Sequence, residues 1–383
     1  MFKGLSKRWW VIAPSILLFL VLAYWLIGKI QYRLNVMDVE TYAPISTLKV
    51  PEHKVTRSKF PFVDVHNHQF TMPIQDLDKL VAEMDDLNMK VMVNLSGFRG
   101  RYLKWSLDNV NEKYADRFAL FLNIDFEELD DEGWPEETLK MMDEAYKMGI
   151  KGLKVYKSLG LTDKDNEGKR IRVNDPRLDP IWAKCGALGI PVLIHTGEPN
   201  SFWQPKDQYN ERWLELKQYP GRYKDPTVYP SFDSLMKEQH EVFRKHPETQ
   251  FINAHLGWYG NDLAKLGELM DELPNMYTEI GAVLAELGRQ PVTARKWLIQ
   301  YQDRVMMGKD TYNKEEYYTY FRVLETEDEY FDYYRKRHAH WKMYGLSLPD
   351  SVLQKIYYKN ALNVIPGLDS TLFVSSDRVI ESQ

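Results

Sequence analysis

The sequence predicts an α/β protein: a (β/α)8 barrel of the TIM type preceded by a single N-terminal transmembrane helix. Three observations carry that reading. Eight short apolar or β-branched runs lie between residues 60 and 310, each separated from the next by an amphipathic or irregular stretch. No glycine-rich phosphate loop follows the first run, which an open doubly wound sheet would need. An uncharged segment of 20 residues, Trp9 to Gly28, stands ahead of all of them.

That segment opens the chain after a short basic N-terminus, residues 1–8. As a helix it would span about 30 Å, the thickness of a bilayer's hydrocarbon core. Trp9, Trp10, Tyr24 and Trp25 sit near its ends, where amphipathic rings favour the headgroup boundary. A cleaved signal peptide would have a shorter apolar run, about 7–15 residues, ending in small residues. Here the run ends in WLIGKIQYRL, so residues 9–29 are read as an uncleaved anchor. Lys3, Lys7 and Arg8 before it against Lys29 and Arg33 after it predict a cytoplasmic N-terminus and an extracytoplasmic main domain.

Residues 30–58 follow as a polar linker with Pro44 and Pro51. The predicted strands are then FPFVDVH (60–66), KVMVNLS (90–96), RFALFLNI (117–124) and IKGLKVY (150–156). IPVLIH (190–195), QFINAH (250–255), MYTEIG (276–281) and RVMMGKD (304–310) complete the set. LDKLVAEMDDLN, EETLKMMDEAYKMG and LAKLGELMDEL read as helices, and Met-Gly or Leu-Gly just before a strand reads as a helix stop. The barrel is expected over 59–370, with long irregular insertions at 197–232 and 311–333, further helix from about 334 to 365, and a tail at 371–383.

Composition narrows the function. Of 383 residues, 44% are hydrophobic and 27% charged, which excludes a disordered chain. The net charge of -5 gives no basic footprint for nucleic acid. Cys185 is the only cysteine, so an intrachain disulfide and a cysteine-rich zinc site are both excluded. With no G-x-S-x-G either, covalent catalysis is disfavoured.

In such a barrel, chemistry sits at the C-terminal ends of the strands. Those ends carry His66 and His68, Lys154, His195, His255 and Asp310. His66 and His68, two apart, point to the same side of a strand. His195 and Asp310 can complete a set of three imidazoles and one carboxylate. Zinc accepts such a mixture, and carboxylate-rich sets favour manganese or iron. Each histidine alone could simply close a buried strand. Their joint occurrence at three strand ends, with an aspartate at a fourth, points to a metal site. His53, His240, His246, His338 and His340 fall in linker or helix and are given no role.

FVDVHNH, IPVLIHTGEP, FINAHLGW and MMGKDT together resemble the amidohydrolase superfamily, specifically its amidohydrolase-related branch of mononuclear metal hydrolases and decarboxylases. The closing YYKNALNVIPGL is similar to that branch's Asn-Ala element, and the resemblance runs over about residues 60–367. It implies His66, His68, His195 and Asp310 as ligands of one divalent ion, zinc first. It also implies His255 beside the metal as the acid/base or carbonyl-polarising residue. Binuclear relatives use a carboxylated lysine on the fourth strand, near Lys154; here one metal is expected, with Lys154 a substrate-facing cation or a structural ion-pair partner.

Three functions are open at this point. A metal-activated water, deprotonated by Asp310, would hydrolyse an ester, lactone or amide of a small molecule. The same site would serve a nonoxidative decarboxylation. A membrane-tethered binding module is the third reading. Trp203 is the expected substrate contact among the aromatic loops, and Glu198 and Arg289 are further substrate-binding candidates or loop-fixing ion-pair partners. The aromatic surplus permits a homo-oligomer.

Overall fold

The computed structural model describes residues 6–373, so residues 1–5 of the expected basic N-terminus (1–8) and residues 374–383 of the expected tail (371–383) lie outside the described residues. The chain divides into two units, residues 1–49 and 50–383. The first holds one helix, α1 (Ser6–Leu34), whose Pro14–Leu34 stretch has a mean hydropathy of 1.6 and is long and apolar enough to cross a membrane. The helix runs on to Leu34 and the second unit begins at Val50, which leaves residues 35–49 as the intervening chain. Residues 50–58 belong with the barrel: the Ser58 N–H donates to Leu87 O at 3.2 Å, and His53 Nδ1 lies 2.5 Å from Asp328 Oδ1.

All eight expected strands form. They are β1 (Phe62–Asn67), β2 (Met89–Asn94), β3 (Phe118–Asn123), β4 (Gly152–Val155), β5 (Val192–Ile194), β6 (Phe251–Asn253), β7 (Met276–Glu279) and β8 (Val305–Met306). They pair in parallel in the order β1 to β8. The ring closes where the chain beyond β8 meets β1: Val65 N–H donates to Met307 O at 2.9 Å and Asp310 N–H to His66 O at 2.6 Å. Asn67 and Asp310 form the bridge at this seam.

Between the strands run α2 (Leu77–Leu87), α3 (Gly100–Lys113), α4 (Trp134–Met148), α5 (Asp179–Leu188), α6 (Phe232–Lys245), α7 (Leu263–Glu272) and α8 (Pro291–Gln300). The expected glycine stops are present: Gly149 (φ 110°) and Gly189 (φ 65°) end α4 and α5 in the left-handed region. Apolar residues alternate along the strands. Val63, Val91, Val93, Phe121, Leu193, Ile252 and Met306 fill the barrel interior, while Phe62, Met92, Leu120 and Val192 face the helices.

Register in β1 is irregular, and this matters for the site. Asp64 pairs with Met92 and Asn67 with Asn94, so three steps on β1 match two on β2. The extra residue is a bulge that turns His66 to the face opposite Asp64. Without it, His66 would share the outward face on which Asp64 meets Tyr317.

The insertions differ from expectation in two places. Residues 311–333 are not wholly irregular: α9 (Glu316–Glu325) buries Tyr317, Tyr320, Phe321 and Leu324 at helical spacing. Helix is expected throughout 334–365 but runs only from Asp350 to Val364, with one wider turn at 355–359. Residues 334–349 stay irregular because their backbone pairs elsewhere, Met343 with Phe331 and Gly345 with Asp328. Residues 197–232 contain short turns at Asn200–Trp203 and Pro220–Arg222 and one helix, Trp213–Gln218. Asn360, in the closing Asn-Ala element, donates to Gln302 O at 2.7 Å and Val305 O at 2.8 Å, which fixes the entry to β8.

Candidate metal centre

The seam brings β1 and the residues after β8 into direct contact, and the site is built there. His66 is fully buried; its Nδ1 donates to Glu279 Oε1 at 2.9 Å, and its Nε2, with no hydrogen-bond partner, lies 3.3 Å from Asp310 Oδ1. His68 Nδ1 lies 2.8 Å from Ser96 Oγ, which is 3.2 Å from Tyr156 OH, and its Nε2 is 3.7 Å from Asp310 Oδ1. His255 donates its Nδ1–H to Gly281 O at 2.7 Å and its backbone N–H to Glu279 Oε1 at 2.7 Å. One ligand atom each from His66, His255 and Asp310 falls within 4.8 Å of the other two. His195 comes from the end of β5; its ring centre is 4.5 Å from that of His255, and its Nε2 is buried without a partner.

Backbone strain accompanies this geometry. His255, Leu256, Gly257 and Trp258 have φ of 59°, 54°, 56° and 61°, a left-handed turn with only one glycine. Each L residue there costs about 1–2 kcal/mol. The turn sets Trp258 against His255 at 4.7 Å and His195 at 5.5 Å between ring centres. Asp310 has φ 81°. Strain of this kind persists where the surroundings over-determine a residue, and it clusters at functional sites.

The charges are arranged for a cation. Burial works against ionising Glu279, but the charge and hydrogen bond of His66, with help from His255, hold its carboxyl down to about 2. Burial opposes Asp310 in the same way, and His66, His255 and His68 hold it well below the ordinary carboxylate range. Burial and the Lys154 charge work against a proton on His66, yet Glu279 and Asp310 outweigh them and raise it. Burial, followed by neighbouring positive charge, pushes His68 down to about 2 and His195 well below its usual value.

These residues fit a bound metal ion. The imidazoles of His66 and His255 spend Nδ1–H on an acceptor, which leaves the Nε2 lone pairs for a ligand. His66 Nε2 and His195 Nε2 are buried polar atoms without a protein partner, a costly arrangement unless something else is bound there. Nitrogen and carboxylate donors together suit zinc, manganese or iron.

Of the other expected site residues, Lys154 joins the cluster. It is buried, its Nζ has no hydrogen-bond partner and lies 5.5 Å from the centre of the Tyr156 ring. Burial pushes it down to about 7 despite the pull of Asp310 and Glu279. Glu198 is buried in an ion pair with Lys157 at 2.5 Å. Trp203 donates its indole N–H to Pro230 O at 2.8 Å and packs on Phe232. Arg289 grips Glu211 at 2.7 Å and Glu286 at 2.5 Å and stacks on Trp341, so its guanidinium ties insertions together.

Sequence reading missed Glu279, Trp258, Ser96 and Tyr156. Glu279 had a signal: it is the last residue of β7, a strand end like the others. Its space also left a trace in MMGKDT and TEIG, because a Cβ at Gly308 or Gly281 would collide with its carboxylate. Trp258 had none, since four successive left-handed residues follow no sequence rule.

A family model described as amidohydrolase matches residues 54–366. Among solved structures, an uncharacterised TIM-barrel protein of Bordetella bronchiseptica superposes with a TM-score of 0.50 at 15% identity, covering 79% of this chain and 98% of that one. A 2,6-dihydroxybenzoate decarboxylase complexed with 2,6-dihydroxybenzoate gives 0.51 at 12% identity, covering 80% and 99%. At these identities the likeness shows the fold. No curated protein matches the chain. The family match spans most of the chain, which belongs to the amidohydrolase superfamily, in its amidohydrolase-related branch.

Proposed function

We propose that the chain is a membrane-anchored, metal-dependent hydrolase acting on an ester, lactone or amide of a small organic molecule. The observation that carries this reading is that His66, His255 and Asp310 bring one ligand atom each within 4.8 Å of one another, with His68 Nε2 3.7 Å from Asp310 Oδ1 and the Nδ1 atoms of all three histidines already engaged. His66, His68, His195 and Asp310 would hold one divalent ion, zinc first and manganese or iron as alternatives. Such an ion supplies an acidified water and a polarised substrate oxygen.

The remaining work falls to the chain's own groups. Asp310, ionised and at the edge of the cluster, accepts the proton from the attacking water. His255 is kept neutral by burial, with its proton on Nδ1 toward Gly281, so its Nε2 presents a lone pair. That tautomer suits a base or a ligand, and the ring polarises a carbonyl only after taking up a proton. Trp258 and Tyr156 wall the site and limit access of bulk water.

One observation favours a second reading. The Lys154 amine, buried and without a hydrogen-bond partner, would meet a substrate carboxylate, and an acid held there could instead lose CO2. The test is turnover by zinc-loaded full-length protein on a panel of esters, lactones, amides and hydroxylated aromatic acids. Hydrolysis that disappears in Asp310→Asn supports the first reading. CO2 release without hydrolysis replaces it with the second, and turnover unchanged in Asp310→Asn overturns both. For the anchor, with N-terminus cytoplasmic and catalytic domain outside, a reporter fused after Gln383 should be active only outside the cytoplasm.

A further inference from the structure

The mouth of the barrel carries an exposed apolar rim beside the candidate site. Phe70 is 57% exposed and Ile74, at the tip of the Met72–Ile74 turn, 86% exposed. On the first half of α3, Tyr102 is 40% and Trp105 51% exposed. The four belong to one surface. Tyr102 OH lies 3.4 Å from Phe70 O, Phe98 bridges the Phe70 and Tyr102 rings at 6.3 and 4.9 Å, and Asn109 ties α3 to Met72 O at 2.7 Å. Tyr102, Trp105 and Asn109 share a helix face by their spacing. Phe70 stacks on His68 with ring centres 5.6 Å apart and planes 9° apart, so the rim is continuous with the cluster.

We propose that this rim seats in the headgroup layer of a lipid bilayer and turns the mouth of the site toward the membrane surface. The proposal rests on the membrane-anchored reading above, because a tether keeps the domain at high local concentration beside the lipid. The residue types fit: Trp and Tyr favour the interface, Ile and Phe enter it, and the exposed Arg101 and Lys104 on α3, the latter paired with Asp108, suit phosphate headgroups. A second copy of the chain would need a broad complementary face, whereas here four exposed apolar side chains stand with the exposed Arg101 and Lys104 beside them in sequence.

Cys185 is buried and is the only cysteine, so Ile74→Cys and Met148→Cys in the full chain each accept an environment-sensitive thiol dye at one place. Met148 is exposed at the end of α4, which lies at the opposite end of the barrel. In vesicles of phosphatidylcholine and phosphatidylglycerol, the dye at 74 should shift to the blue and lose most of its emission to headgroup nitroxide lipids. The dye at 148 should do neither, and adding Trp105→Ser should weaken the effect at 74. Equal quenching at both positions, in a chain that stays with the vesicles through an alkaline wash, overturns the docking and leaves the anchor standing. A chain stripped by that wash overturns the anchor and the docking together. A blue shift that grows with protein concentration and resists nitroxide quenching assigns the rim to a second copy and overturns the proposal.

Discussion

The interior of the barrel and its mouth are built from the same eight strands by opposite rules. In the interior, Val63, Val91, Val93, Phe121, Leu193 and Ile252 alternate along their strands and pack into one apolar cluster. At the mouth, a bulge in β1, a left-handed turn at 255–258 and buried ionisable groups all break local preference. The interior lowers free energy by burial, while the mouth spends part of it on strain and desolvation. Stability and function therefore sit at different depths of one barrel, and substitutions at the two depths should have separable effects.

The largest expected effect is in the interior. Phe121→Ala removes a ring that fills the space beside Gly152 and should cost about 3–5 kcal/mol of unfolding free energy. Denaturant unfolding measures this, and metal bound per folded molecule should not change. Loss of metal from the folded Phe121→Ala protein would break the separation.

An intermediate effect concerns His240 on α6, buried between Phe243 and Tyr259 with Nε2 unpartnered. It lies outside the group of ligand atoms at the mouth. Burial, with Arg244 adding to it, pushes His240 down to about 4 from 6.5, while Glu272 pulls the other way. Because the folded value is the lower one, the unfolded chain binds the extra proton. Stability present above about pH 6.5 should fall as pH drops toward 4, by at most about 3 kcal/mol at 1.36 kcal/mol per unit. Unfolding measured across that range should lose this component of its slope in His240→Phe, and an unchanged slope would assign the acid loss elsewhere.

The smallest expected effect on stability, and the sharpest test of the mouth, is Glu279→Gln. It keeps the shape but weakens the acceptor that orients His66. Metal affinity should drop about 10–100-fold, read by competition with a chromogenic chelator. Affinity within error of the parent would reduce Glu279 to a structural group.

The fold was legible because each strand is a short apolar or β-branched run and the helix stops are real glycines. The six residues His66, His68, Lys154, His195, His255 and Asp310 were legible because strand ends converge in any such barrel. The orienting residues were harder. Glu279 acts from β7 on His66 of β1, a contact that no local pattern encodes. Trp258 depends on a strained turn, and the roles of Trp203 and Arg289 turn on partners 27 and 78 residues away. α9 was hidden because its aromatics read equally well as loop.

The measurement that bears most directly on the account is the metal content of the purified full-length protein, with Asp310→Asn alongside. About one equivalent of a divalent transition metal is expected, strongly reduced in the variant while the fold is retained. Folded protein free of metal after zinc loading, or equal content in Asp310→Asn, would contradict it.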